Sequence, residues 1–205
     1  MNDSTRVFFS VLSSIKETGA LELTAIITAL IYVVLATRAN KWCWIFGIVS
    51  AAIYTWFNYS LTYYYDAGLS IYYMVIGFYG WYQWSAKKEK GKDELIIHFG
   101  GMKINVISIL IGIIATIILG YLAKMYTPST RPFFDASLTS FSLIATWMTT
   151  KKMIENWIYW VIIDAGYTIL YFYSHKPSTA LLNLIYTIIA IFGFFRWRKE
   201  MRSSA

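Results

Sequence analysis

Seven long apolar runs, separated by short segments that hold charges or turn residues, account for most of the chain. A helix of about 20 apolar residues crosses the hydrocarbon core of a bilayer, and Tyr or Trp at its ends extends it into the headgroup layer. The pattern therefore predicts an all-α membrane protein with seven transmembrane helices. The runs cover residues 21–36, 42–60, 67–85, 104–123, 133–149, 154–173 and 178–196.

Composition leaves little room for any other class of protein. Of the 205 residues, 58% are hydrophobic and 14% are charged, which is too little polar surface to cover a water-soluble globule. Seven spans leave only loops and short tails, so we expect any activity to reside in the lipid bilayer. The single Cys43 excludes an intrachain disulfide.

The first and last thirds of the chain match each other. Segment 24–84 aligns with 137–197 without a gap, and 14 of the 61 aligned positions are identical, against about 8% expected from composition. This match, called here the repeat alignment, predicts two three-helix units joined by a linker helix, a 3+1+3 arrangement. Because four crossings separate the starts of the units, they enter the membrane in the same direction and form two parallel three-helix repeats. A substrate site is expected at the interface between such repeats.

This organisation divides the chain into five segments. The first is expected to be an amphipathic leader, because its apolar patch is too short to cross a bilayer. The segments are the N-terminal leader 1–20, a first three-helix bundle 21–85, a loop plus linker helix 86–132, a second three-helix bundle 133–197 and a cytoplasmic tail 198–205.

The net charge of +7 lies mostly between the apolar runs, so it indicates membrane topology, and we do not expect a nucleic-acid partner. With seven spans, the segments on one side hold five Lys and Arg residues, and those on the other side hold thirteen. The positive-inside rule places the richer side, with the C-terminus, in the cytoplasm and the N-terminus outside. We therefore expect a multi-pass protein.

One charged residue, Asp164, lies near the middle of an apolar run. A mid-membrane carboxylate costs about 2.5–3.5 kcal/mol on insertion scales, so such a residue is expected to face a cavity. Helical spacing puts Trp157, Trp160 and Asp164 on one face, which Tyr167 extends. Aromatic faces and a carboxylate suit a flat cationic ring. The alternatives are a carboxyl satisfied by a neighbouring Tyr or Thr, and Trp residues that form an interfacial belt.

Other polar or aromatic residues in the spans are further candidates for contact with a substrate. They are Trp81, Gln83, Tyr73, Tyr186, Asn183 and Asn58. The sequence has no GxxxxGK, HExxH or GxSxG motif, and His98 and His175 lack a metal-ligand spacing. We therefore expect no enzyme activity, no catalytic residue, no metal and no cofactor.

Two motifs resemble those of the PnuC vitamin transporters, a family related in plan to the SWEET transporters. Residues 155–164, ENWIYWVIID, look like the family's ENWxxWxxxN signature, and residues 79–84, YGWYQW, look like its YGWYxW motif. The resemblance covers most of the chain and implies the same 3+1+3 helix plan. It assigns substrate recognition to Trp157, Trp160 and Asp164, although many nicotinamide riboside transporters have Asn at the last position.

The resemblance implies vitamin uptake across a bacterial cytoplasmic (inner) membrane, with nicotinamide riboside as the first choice. It also implies facilitated diffusion, with metabolic trapping by a cytoplasmic vitamin kinase that links the carrier to NAD biosynthesis. Thiamine stays open as the substrate, and so does a proton-coupled carrier that uses Asp164. A membrane sensor that binds a vitamin without releasing it is the third hypothesis. A homo-oligomer is compatible with each of these.

Overall fold

A computed structural model describes residues 19–62, 64–85, 96–127, 129–174 and 176–203. Within these residues the chain forms seven helices and no strand, which confirms the all-α prediction. Residues 1–18 of the expected leader lie outside the described residues. The helices are α1 Ala20–Thr37, α2 Cys43–Ser60, α3 Tyr64–Ser85, α4 Met102–Tyr126, α5 Pro132–Thr150, α6 Asn156–Tyr173 and α7 Pro177–Ser203.

Three of the helices in the described part of the chain, α1, α4 and α7, are long and apolar enough to cross a membrane. The remaining helices carry more polar side chains. In α5, for example, Ser142, Thr146 and Thr149 are all buried in the protein. These polar residues lower the mean hydropathy of α5, although they are buried inside the protein and not on its outer surface. Helix α7 continues to Ser203, so it includes most of the segment expected to be a tail.

The turns after α1 and after α5 have the same backbone. Ala39 and Lys152 adopt positive φ angles of 48° and 55°, a left-handed conformation that ends a helix. In each turn the next residue donates its N–H to the carbonyl five residues earlier. Asn40 donates to Leu35 at 3.2 Å, and Met153 donates to Met148 at 3.1 Å. The two turns occupy equivalent positions in the repeat alignment, so the sequence match extends to the backbone.

Helices that follow one another in the chain pack together within each half. Helix α2 contacts α1 and α3, and α6 contacts α5 and α7. The two halves meet along two seams, where α1 packs on α7 and α3 packs on α5. Helix α4 packs on α5, with Phe133 and Phe141 so close to Gly120 and Gly112 that a Cβ there would lie within 2.3 and 2.5 Å of the rings.

A cluster of four buried tryptophans occupies the interior near these two turns. The cluster, called here the indole floor, consists of Trp44, Trp84, Trp157 and Trp197. The ring centroids of Trp44 and Trp84 are 5.3 Å apart, those of Trp84 and Trp197 are 6.1 Å apart, and those of Trp197 and Trp157 are 5.5 Å apart. Such edge-to-face and tilted contacts stabilise aromatic pairs.

Reciprocal hydrogen bonds from the indole floor connect the two halves of the chain. The Trp84 indole Nε1–H donates to the carbonyl of Thr150 at 3.1 Å, from α3 to α5. The Trp197 indole Nε1–H donates to the carbonyl of Ala36 at 3.1 Å, from α7 to α1. Each half therefore satisfies a helix-end carbonyl of the other, and this holds both seams together at one end of the bundle.

The segment before α4 is bound to the α5–α6 turn. The backbone of His98 exchanges hydrogen bonds with Lys152 and Ile154, at 3.2 and 3.0 Å. The carboxylate of Glu155 accepts the N–H groups of Gly100 and Gly101. The start of the linker segment is thereby fixed to the second half of the chain.

Candidate functional site

A cavity of about 330 Å³ lies between the two halves of the chain, above the indole floor. Six helices line it; α4 does not. Ligand pockets in proteins are about 300–1,000 Å³, so this volume fits a small ligand. The lining residues are Ala29, Tyr32, Val33, Ala36, Trp44, Gly47, Ser50, Ala51, Tyr54, Ser70, Tyr73, Gly77, Thr146, Thr149, Asn156, Trp157, Trp160, Asp164, Tyr167, Asn183, Tyr186 and Ala190.

The lining residues fall into pairs that are equivalent in the repeat alignment. Nine such pairs account for eighteen of the twenty-two residues. Only Ala29, Tyr32, Ser50 and Asn156 have no counterpart in the lining. The pairs are 33 and 146, 36 and 149, 44 and 157, 47 and 160, 51 and 164, 54 and 167, 70 and 183, 73 and 186, and 77 and 190. Equivalent positions of the two halves thus both line the cavity.

Two tryptophans of the indole floor, Trp44 and Trp157, close one end of this cavity. They are 1% and 3% exposed, and neither indole N–H has a hydrogen-bond partner among the described residues. Each ring lies over a glycine of the neighbouring helix: a Cβ at Gly80 would lie 2.4 Å from Trp44, and one at Gly193 would lie 2.7 Å from Trp157. The glycines allow the close approach that places both rings under the cavity.

Helix α6 presents one continuous face to the cavity. Trp157, Trp160, Asp164 and Tyr167 follow at intervals of three and four residues, so they lie above one another on one side of the helix. Tyr167 also stacks on Tyr171, with ring centroids 5.9 Å apart. The face therefore combines aromatic rings with one carboxyl group, as its spacing predicts.

Asp164 is the one charged residue among the described residues that line the cavity. Its side chain is 6% exposed, and it forms no hydrogen bond or ion pair with another described residue. A buried carboxylate without a partner is unstable unless a cation, a donor or a proton satisfies it. The geometry therefore leaves Asp164 free to bind a cationic group in the cavity.

Most other polar groups of the lining are already bonded within the protein. The amide of Asn183 donates to the carbonyl of Thr179 at 2.8 Å, and the hydroxyl of Ser50 donates to the carbonyl of Ala25 at 3.0 Å. Asn156 accepts a hydrogen bond from the hydroxyl of its lining neighbour Thr149 at 3.2 Å. These groups shape the wall and are not available to a ligand.

Seven of the ten residues expected to contact a substrate line this one cavity. They are Trp157, Trp160, Asp164, Tyr167, Tyr73, Tyr186 and Asn183. Asn58 lies just outside and donates to the hydroxyl of Ser70, a lining residue, at 3.4 Å.

Trp81 and Gln83 lie outside the lining. Trp81 is one turn beyond Gly77, at the end of α3, where it packs edge-on against Trp42 at 5.1 Å. Gln83 is on another face of α3 and donates to the hydroxyl of Tyr79 at 2.6 Å. Both positions lie beyond Gly77, the last residue of α3 in the lining, and neither residue lines the cavity.

Sequence reasoning missed the contribution of α1 and α5 to the wall, and most of that of α2. Gly47 and Ala51 carry no reactive group, and nothing in their own chemistry points to a site. The signal that could have found them was the repeat alignment, which pairs them with Trp160 and Asp164.

A helical bundle with apolar helices and an aromatic cavity between its halves has the form of a membrane transporter. Comparison with known proteins agrees with this class and does not indicate an enzyme. The chain belongs to the nicotinamide mononucleotide transporter family, whose model matches residues 19–199.

Individual relatives show the same relationship over nearly the whole chain. The nicotinamide riboside transporter PnuC of Escherichia coli strain K12 is 22% identical over 206 residues, covering 89% of this chain and 86% of its own length. The riboflavin/roseoflavin transporter RibM of Streptomyces davaonensis is 25% identical over 174 residues, covering 83% and 81%. A crystal structure of the vitamin B3 transporter PnuC has the same fold, with a TM-score of 0.74 at 17% identity, covering 96% of this chain and 88% of that one.

Proposed function

We propose that this protein carries a cationic vitamin, nicotinamide riboside as first choice, across a bacterial cytoplasmic membrane through the central cavity. The observation that supports this most is the unpaired carboxyl of Asp164 in a cavity with aromatic walls. The pyridinium ring of nicotinamide riboside is flat and positively charged. It would place its charge at Asp164 and its face against Trp160.

The two named relatives carry chemically different vitamins, which makes the charge of the site informative. PnuC is named for nicotinamide riboside, a cation, and RibM is named for riboflavin, which is neutral. A lone carboxylate favours the cation, because a neutral ring would leave the buried charge unpaired. Thiamine, whose thiazolium ring is also cationic, is the second candidate for the same reason.

We also propose that the fold consists of two parallel three-helix repeats, α1–α3 and α5–α7, with α4 as the linker. The nine pairs of lining residues, the two matching turns and the reciprocal indole bonds support a twofold axis through the cavity. With all seven helices crossing the membrane, the distribution of Lys and Arg places the indole floor on the cytoplasmic side.

Transport then requires the cavity to open to one side at a time. The indole floor closes one end of the cavity, which we propose to be the cytoplasmic end, so opening there would require the two halves to separate and break the reciprocal indole bonds. We propose facilitated diffusion, in which the carrier lowers a barrier and cannot by itself concentrate the vitamin. Phosphorylation by a separate cytoplasmic kinase would remove free vitamin and maintain inward flux.

The test is counterflow in reconstituted vesicles. Vesicles loaded with unlabelled nicotinamide riboside should accumulate labelled nicotinamide riboside transiently, without an ion gradient, and vesicles without protein should not. Counterflow with thiamine but not with nicotinamide riboside would show that the substrate assignment is wrong.

A proton-coupled carrier is the second candidate function, and the unpaired carboxyl of Asp164 favours it, since mid-membrane carboxylates often carry protons. An imposed pH gradient should then drive net uptake, and Asp164→Asn should abolish that effect. Uptake that does not change with the pH gradient would support facilitated diffusion instead. Binding without any flux would support a sensor over both carriers.

A further inference from the structure

Two tyrosines at equivalent positions of the repeat alignment line the cavity, and their hydroxyl groups are in different situations. Tyr73 belongs to α3 and Tyr186 to α7. We infer that Tyr186 hydrogen-bonds a hydroxyl group of the transported ligand, whereas Tyr73 is committed to the protein. This inference rests on the proposed function, and it adds a second recognition element to the carboxyl of Asp164.

The hydroxyl of Tyr73 is held by the neighbouring helix. It hydrogen-bonds the Ser142 hydroxyl of α5 at 2.7 Å, and the adjacent Tyr72 hydroxyl donates to the carbonyl of Leu143 at 3.0 Å. Ser142 is 2% exposed, so this bond lies inside the α3–α5 seam. A ligand would have to displace a buried partner to use the Tyr73 hydroxyl.

The equivalent seam between α1 and α7 lacks this partner. The residue aligned with Ser142 in the first half is Ala29, whose methyl group neither donates nor accepts a hydrogen bond. Ala29 and Tyr186 both line the cavity. Among the described residues, no group forms a hydrogen bond with the Tyr186 hydroxyl. The replacement of Ser by Ala at the matching position thus leaves the Tyr186 hydroxyl available to a ligand.

The chemistry of the available group defines what it recognises. A phenol hydroxyl donates one hydrogen bond and accepts others, and it is neutral near pH 7, so it suits an alcohol and gives no advantage to a cation. Together, Asp164 and Tyr186 select an aromatic cation that also carries a hydroxyl group. A site built to bond a hydroxyl discriminates against an analogue that lacks it.

Binding to the purified full-length protein, measured by isothermal titration calorimetry, separates these roles. The probes are nicotinamide riboside and 1-methylnicotinamide, which has the same type of cationic ring but no hydroxyl groups. Tyr186→Phe should weaken nicotinamide riboside binding about 2- to 10-fold, the size of one neutral hydrogen bond, and leave 1-methylnicotinamide binding unchanged. Ala29→Ser gives Tyr186 the hydroxyl partner that Ser142 gives Tyr73. It should therefore also weaken nicotinamide riboside binding relative to 1-methylnicotinamide binding.

Tyr72→Phe is the matched control, because it removes a tyrosine hydroxyl bond in the α3–α5 seam at a position that does not line the cavity. It should leave the affinity ratio of the two probes unchanged. Equal weakening of both probes in Tyr186→Phe would show a structural role and overturn the inference, as would no change in either. A wild-type protein that binds neither nicotinamide riboside nor thiamine would instead overturn the proposed function, and this inference with it.

Discussion

The two walls of the cavity use equivalent positions of the repeat alignment, but at two of these positions their side chains differ in size and charge. On the wall formed by α1–α3, Gly47 and Ala51 occupy the positions that Trp160 and Asp164 occupy on the wall formed by α5–α7. At these two positions the first wall has small side chains, with the Tyr32 ring against Gly47, and the second wall has an indole ring and a carboxyl group. In a fully symmetric cavity, an asymmetric ligand would bind equally well in two orientations related by the twofold axis. Divergence of the two walls makes these orientations different in energy and favours one of them.

The largest effect is expected from enlarging a small residue of the first wall. Ala51→Leu adds three carbon atoms at a buried position that lines the cavity. Overfilling a packed site costs about 1–3 kcal/mol, which is about 5- to 150-fold in affinity for nicotinamide riboside. The measurement is calorimetric binding to the purified variant.

Ala52→Leu is the control for this prediction, because Ala52 is the next residue along α2 and its side chain is exposed. It should bind like the wild type. If Ala51→Leu also binds like the wild type, the ligand does not lie against the first wall.

In the indole floor, the two halves have the same residues at equivalent positions. Equivalent substitutions there should therefore have equal effects. A Cβ at Gly80 or at Gly193 would overlap the indole ring beside it. We expect Gly80→Ala and Gly193→Ala each to lower stability by about 1–3 kcal/mol, measured as a lower midpoint of thermal unfolding.

Gly68→Ala provides the comparison, since a Cβ at Gly68 would have no neighbour within 4 Å. Its unfolding midpoint should stay at or above the wild-type value, because Ala favours a helix over Gly. A large effect at only one of the two floor glycines would contradict the symmetry of the floor.

A smaller effect is expected from removing the ring of the second wall. Trp160→Leu keeps an apolar side chain but loses the aromatic face, and a cation over such a face is stabilised by about 0.5–2 kcal/mol. Affinity for nicotinamide riboside should fall about 2- to 30-fold. Trp56→Leu is the control, because Trp56 is 63% exposed and does not line the cavity. Equal affinities in the two variants would exclude Trp160 as a contact.

The sequence predicted the elements that depend on local pattern. The seven apolar runs predicted seven helices, because each run is long enough to form a helix that crosses the apolar core of a bilayer. Helical spacing placed Trp157, Trp160, Asp164 and Tyr167 on one face, because a single helix fixes that relationship without any tertiary contact. The end of α7 was missed, since its last turns are charged and an apolar pattern does not detect them.

Features that depend on how helices meet could not be predicted in the same way. The α3 end carries an aromatic motif, but Trp81 packs against Trp42 and the buried cluster and does not line the cavity, which only packing shows. The Tyr186 hydroxyl has no partner among the described residues because Ala29, on another helix, stands where Ser142 stands in the other half. The small residues of the first wall were overlooked because they carry no reactive group.

The most direct test of the proposed cation site compares two ligands of nearly the same shape and different charge. Nicotinamide riboside is a cation, and its dihydro form, which carries one additional hydride, is neutral. The wild-type protein should bind the cation at least about 10-fold more tightly than the neutral form, because the neutral form would leave the buried carboxylate of Asp164 without a countercharge, at a cost above about 1.4 kcal/mol. In Asp164→Asn the two affinities should become nearly equal. The same affinity ratio in both proteins would contradict the assignment of Asp164 as the group that recognises the ligand's charge.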